Sequence, residues 1–161
     1  MHQPSGVEFA TAHLSTDVTL HYAERGDREG KTIIFLHAYG DSWFSFSRVL
    51  SLLSPEYHAF TFDQRGHGNS DKPECCYTED DYAAHADAFL GAVGVEEATV
   101  VCSSSGGLLA QRVALSYPPR VSRLVLIGLP TSLANNDAVI EVGKELLALE
   151  DSISPKFVRE V

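Results

Sequence analysis

The chain has 161 residues, 44% of them hydrophobic and 21% charged, the proportions of a globular protein rather than a disordered or fibrous one. That length buries one sizeable core, so a single fold unit is the default expectation. Lys and Arg number 12 against 22 Asp and Glu, a net charge of −10 that repels nucleic acid and anionic membrane, and the basic residues nowhere form a patch.

The N-terminus, Met1-His2-Gln3-Pro4, lacks the positive start and apolar run of a signal peptide. No apolar stretch approaches the roughly 20 residues that span a bilayer. The three cysteines are Cys75, Cys76 and Cys102, an odd number with two adjacent. This is not a disulfide framework; it predicts a loop with two free thiols in a reducing, cytoplasmic setting. Without a spaced second pair there is no zinc signature, and neither a metal nor a cofactor is expected.

In chain order, Val7 to Leu14 and Val18 to Ala23 read as two strands, joined at Ser15-Thr16-Asp17 and closed by Gly26. Thr32 to Leu36 is a continuous apolar run, as in a strand buried on both faces. Trp43, Phe46, Leu50 and Leu53 then follow a helical period ended by Pro55. Their spacing points to the core first and to an acyl pocket, with Phe44, only second. Tyr57 to Phe62 is the next strand. Thr78 with Asp81 three residues on marks a helix start, and Tyr82, Ala86, Phe89, Leu90 and Val93 form its buried face before Gly94. Ala98 to Cys102 is a strand, Gly106 to Tyr117 a helix stopped by Pro118, and Val121 to Ile127 another strand. The alternation predicts a largely parallel sheet covered on both faces. Asn136 to Glu150 is helical in character.

Ligands of an open parallel sheet collect beyond the carboxyl ends of its strands, where three segments fall together. The first is Cys102-Ser103-Ser104-Ser105-Gly106-Gly107, at a sharp strand-to-helix turn. A nucleophile there needs small residues two before and two after it. Ser104 has Cys102 and Gly106; Ser105 would have Ser103 and Gly107; Ser103 would have the bulky Val101. The strand length favours Ser104, although serine is also a good N-cap and turn residue. The second segment is His37-Ala38-Tyr39-Gly40, after the first buried strand, a position from which a backbone N–H can reach a developing oxyanion. The third is Asp63 to Asp71, a glycine-rich turn in which Asp63 and Arg65 can pair.

The ordered set Leu36-His37-Ala38, Asp63 to Asp71 and Cys102 to Gly107 resembles the α/β-hydrolase superfamily over nearly the whole chain. The resemblance implies a mostly parallel, doubly wound α/β sheet with an N-terminal antiparallel strand pair. It also implies a Ser-His-Asp/Glu triad with Ser104 as nucleophile and the backbone N–H groups of Tyr39 and Ser105 as oxyanion hole. The likeness is to capped esterase-like and C–C-hydrolase-like enzymes. Dehalogenases and epoxide hydrolases of this fold use an Asp nucleophile, against which the serine argues. Residues 1–130 would be the first part of the core and 131–161 the start of a helical cap. Two departures stand out, His37-Ala38 for His-Gly and Cys102-Ser103-Ser104 for Gly-His-Ser.

The family order is Ser, then Asp or Glu, then His. All seven histidines of this chain precede Ser104, and no acid follows the strand at Gly128-Leu129-Pro130. The expectation is a chain that stops inside the cap and lacks the last strands, with the acid and base. By itself it would be poorly active, and its open sheet edge would favour self-association or a complementing C-terminal segment. The expected substrate is a small acyl compound, with no nucleic acid or membrane partner. The alternatives are C–C bond hydrolysis and a non-catalytic, binding-only fragment or homologue.

Overall fold

The computed structural model describes residues 6–129 together with 136, 137, 140, 141 and 144. The helical cap expected over 131–161 otherwise lies outside the described residues. The chain divides into two compact units, 1–129 and 130–161. In the second, Asp137, Ile140, Glu141 and Lys144 are helical, and Lys144 pairs with Glu141 at 3.6 Å.

All the described strands belong to the first unit, in one six-stranded sheet. These are β1 (Glu8–His13), β2 (Thr19–Gly26), β3 (Lys31–Leu36), β4 (Tyr57–Phe62), β5 (Ala98–Ser103) and β6 (Val121–Ile127). Their order across the sheet is β1-β2-β4-β3-β5-β6. The pairs β1/β2 and β2/β4 are antiparallel, and the remaining neighbours are parallel. The antiparallel N-terminal pair and the parallel remainder are those read from the sequence.

The continuous apolar run of β3 is explained by cover on both faces. Ile34 and Leu36 join Phe60, Phe62, Val100 and Cys102 on one face, beneath Phe89 and Leu90 of α2 (Glu79–Ala92) and Ala110 and Val113 of α3 (Gly106–Ser116). Ile33 and Phe35 face the other way, with Ala59, Phe46 and Leu50. The period of two places alternate residues in two separate cores. The helix expected from Trp43 is broken: Trp43–Phe46 is a 3-10 turn, and α1 is only Ser47–Leu52. Ser42 caps that turn by accepting the Phe44 N–H. At α2 the Thr78 and Asp81 side chains each bond the other's backbone N–H, a complete capping box.

Among the described residues, the cover expected on both faces is incomplete at β6. Leu124, Val125, Leu126 and Ile127 are 37–53% exposed, and among the described residues β6 pairs only with β5. Leucine, valine and isoleucine at successive positions place apolar surface on both sides of an edge strand.

Cys75 and Cys76 are bridged as a vicinal disulfide, which corrects the expectation of two free thiols. Cys76 takes φ +70, in the left-handed region. Cys102 remains free and buried, and burial pushes its thiol pKa up.

Candidate active site

The turn after β5 is tight for reasons visible residue by residue. Ser104 has φ +48, one of three non-glycine residues among those described with positive φ, whereas Ser105 has φ −59 and is already helical. Serine has a Cβ that disfavours this region, so the conformation is maintained by its surroundings. The Ser104 N–H donates to Ile127 O at the end of β6 (2.9 Å), and the Gly107 N–H to Ser104 O (2.9 Å). Ser104 is exposed, and its hydroxyl has no hydrogen bond among the described residues.

Gly106 lies directly against the neighbouring loop. A Cβ on it would stand 2.7 Å from both Leu36 O and His37 O, two backbone atoms that cannot swing away. Gly106→Ala is therefore expected to cost about 1–3 kcal/mol of stability by urea unfolding. A loss below about 0.5 kcal/mol would show slack in the turn. Cys102, two residues before Ser104, tolerates its side chain because it faces the core under α2 and α3, with its Sγ 3.5 Å from Val125 O. Ala38 is equally easy to account for: its φ is not positive, and the loop's left-handed residue is Gly40 at φ +74. Neither departure from the expected glycines strains the backbone.

The loop after β3 is built around His37, which is 1% exposed. Its Nε2 accepts the Gln64 N–H (3.0 Å), so the proton sits on Nδ1 and is donated to Ala38 O (2.8 Å). The Gln64 side-chain amide returns a bond to His37 O at 2.7 Å. Burial holds the His37 pKa below its ordinary value. His85, 4% exposed on α2, is likewise held low by burial and then by the Arg65 guanidinium. The unfolded chain takes up protons near pH 6.5, where these two folded imidazoles stay neutral. Stability is thus complete above about pH 6.5 and falls as pH drops below it. Melting temperature is expected to decline between pH 7.5 and 5.5, and less so in His85→Gln. An equal decline in that variant would remove His85 from the account.

Asp63 and Arg65 do not pair, contrary to expectation, because their side chains leave the turn in different directions. Asp63, wholly buried, accepts the Trp43 N–H on Oδ1 (2.8 Å). Its Oδ2 accepts His21 Nδ1–H (3.0 Å) and the Asn69 N–H (2.9 Å). Arg65 donates to Cys75 O (2.6 Å) and to His85 Nε2 (3.3 Å), and lies 5.4 Å from the Tyr77 ring centre. Among the described residues, Arg65 Nε and His85 Nδ1 are buried without hydrogen-bond partners. The turn is structural, as expected, through other contacts.

The described histidines other than His37 also have structural engagements. His67 donates through Nδ1 to Arg65 O (2.9 Å), and its Nε2 accepts the Gly40 N–H at 3.4 Å. His58 pairs with Glu24 at 2.8 Å near the start of β4. There the pair lines a polar groove of about 670 Å³ with Thr32, at the opposite end of the parallel strands from Ser104. His13 lies on β1 beside Thr19. The His21–Asp63 pair, unremarked in the sequence, has the bonding of an acid–base dyad. Its imidazole, the part that would act as base, is on β2, three strand spacings or about 14 Å from β5 and out of reach of Ser104, while Asp63 follows β4. Trp43 and Phe46 pack into the core, and only Phe44 of that aromatic group is strongly exposed.

Residues 31–158 match the family described as the alpha/beta hydrolase fold. The chain belongs to the alpha/beta hydrolase family. Epoxide hydrolase 3 of Mus musculus is 31% identical over 134 residues, 81% of this chain and 36% of that protein. The non-heme chloroperoxidase of Streptomyces lividans is 32% identical over 132 residues, 79% of this chain and 47% of that one. This alpha/beta hydrolase chain therefore spans less than half the length of either relative. Among solved structures, Cfl2 of Burkholderia cenocepacia superposes with a TM-score of 0.76 at 25% identity, over 90% of this chain and 57% of that one. No described helix is long and apolar enough to cross a membrane.

Proposed function

We propose that this alpha/beta hydrolase chain carries the nucleophile of a serine hydrolase acting on carboxylic esters or similar acyl compounds. The observation that carries the proposal is Ser104, an exposed residue held at φ +48 at the carboxyl end of β5. In this reading Ser104 Oγ attacks the acyl carbon and its proton passes to a base. The bond to the leaving oxygen breaks, that oxygen takes the proton, and water then releases the acid and regenerates the serine. Backbone N–H groups of Tyr39 and Ser105 receive the negative charge that develops on the carbonyl oxygen.

The base and its acid partner are proposed to lie outside these 161 residues. His37 has both ring nitrogens committed, and the His21–Asp63 pair is out of reach. The relatives named as epoxide hydrolases share the family, but the resemblance expects an aspartate where this chain has Ser104. The test is covalent labelling of the intact protein with a fluorophosphonate, followed by peptide mass spectrometry. Modification at Ser104, lost in Ser104→Ala, supports the hydrolase. An unmodified Ser104 would favour the binding-only reading, which the shortage of an available base also supports.

A further inference from the structure

The two N–H groups assigned to the oxyanion hole differ in one respect. That of Ser105, at the start of α3, has no acceptor among the described residues. That of Tyr39 is already taken, since it donates to Ser105 Oγ at 2.7 Å. An N–H has one proton to give, so the Ser105 hydroxyl and a substrate oxyanion compete for the same donor.

The surroundings decide which part can yield. Gly106 is pressed on the Leu36 and His37 carbonyls, His37 is clamped by Gln64, and the Ser104 N–H is tied to Ile127 O. These contacts hold both backbones in place. The Ser105 side chain is only partly buried and can leave by rotation about its one side-chain torsion between staggered wells.

We propose that the Ser105 hydroxyl gates the oxyanion site, holding the Tyr39 N–H at rest and releasing it as charge develops on an acyl group at Ser104. The inference rests on the serine-hydrolase reading above. A hydroxyl oxygen is a neutral acceptor, and an oxyanion makes the stronger, charge-assisted bond. A neutral carbonyl gains little by displacing the hydroxyl, whereas the tetrahedral intermediate gains much. The hydroxyl thereby biases the site toward the transition state over the ground state. Ser105 acts through Tyr39, so its side chain is a positioning group.

The test compares the intact protein with Ser105→Ala and Ser105→Thr. It measures the second-order rate of fluorophosphonate labelling at Ser104 and the hydrogen exchange of the Tyr39 amide. In Ser105→Ala, labelling is expected to rise about two- to tenfold, the worth of one neutral hydrogen bond. The Tyr39 amide should exchange faster in that variant, and Ser105→Thr, which keeps a hydroxyl, should exchange and label more slowly than Ser105→Ala. A merely structural serine would give slower labelling in Ser105→Ala. Slower or unchanged labelling there, or unchanged Tyr39 exchange, overturns the gate. Absence of labelling in all three proteins overturns the hydrolase reading, and the gate with it.

Discussion

Ser104→Ala is expected to reduce turnover of a simple ester by about 10⁴- to 10⁶-fold in the protein supplied with its base and acid. The size follows from losing the covalent route altogether: no other hydroxyl stands at the apex of the β5–α3 turn. Ser105 is helical at φ −59 and its oxygen accepts the Tyr39 N–H. Some catalysis over water should survive, because the backbone donors remain. In the 161-residue chain alone, turnover is expected to be poor before and after the substitution. Robust ester hydrolysis by that chain, abolished in Ser104→Ala, would show that one of its own histidines serves as base.

Asp63→Ala is expected to cost about 3–5 kcal/mol of folding stability, read from urea unfolding. The carboxylate is wholly buried and receives bonds from Trp43, His21 and Asn69, which belong to three different segments. Removing it strands two backbone N–H groups and a ring N–H with no water to replace the lost acceptor. Asp63→Asn should cost less, about 2–3 kcal/mol, since one acceptor oxygen remains while the amide turns its own N–H toward a donor. Against a typical stability of about 5–15 kcal/mol, the alanine variant should also accumulate poorly as soluble protein. A loss under about 1 kcal/mol would mean that the three segments are held by other contacts.

The contrast between these two residues shows what a sequence exposes. The sharp turn at Ser104 was legible because its constraints are local: a strand length, a turn and small neighbours at set positions. β4 was read over its observed span, and the α2 cap from Thr78 and Asp81, for the same reason. Asp63 was legible only as structural. Its partner His21 is 42 residues away on an antiparallel strand, and no spacing rule reaches that far. Arg65 looked like its partner because it was close in sequence. The broken helix at Trp43 was hidden because its apolar residues keep a helical period while Ser42 and Asp63 bind the first N–H groups of a tighter turn. The bond from the Tyr39 N–H to Ser105 Oγ was equally invisible, since Ser105 looks like any helix-starting serine until the two loops are brought together. An open flank beside β6 was an expectation of the sequence, but the exposure of its apolar side chains required the fold.

That flank has a kinetic side. The Ser104 amide is tethered to the last carbonyl of β6, one of the two edge strands of the described sheet. Edge strands open by local fluctuations far cheaper than global unfolding. Each time the end of β6 lifts away, the backbone that keeps Ser104 at positive φ loses its anchor, and the residue is free to relax into an ordinary conformation. The lifetime of the Ser104 turn geometry is therefore set by how long β6 stays seated.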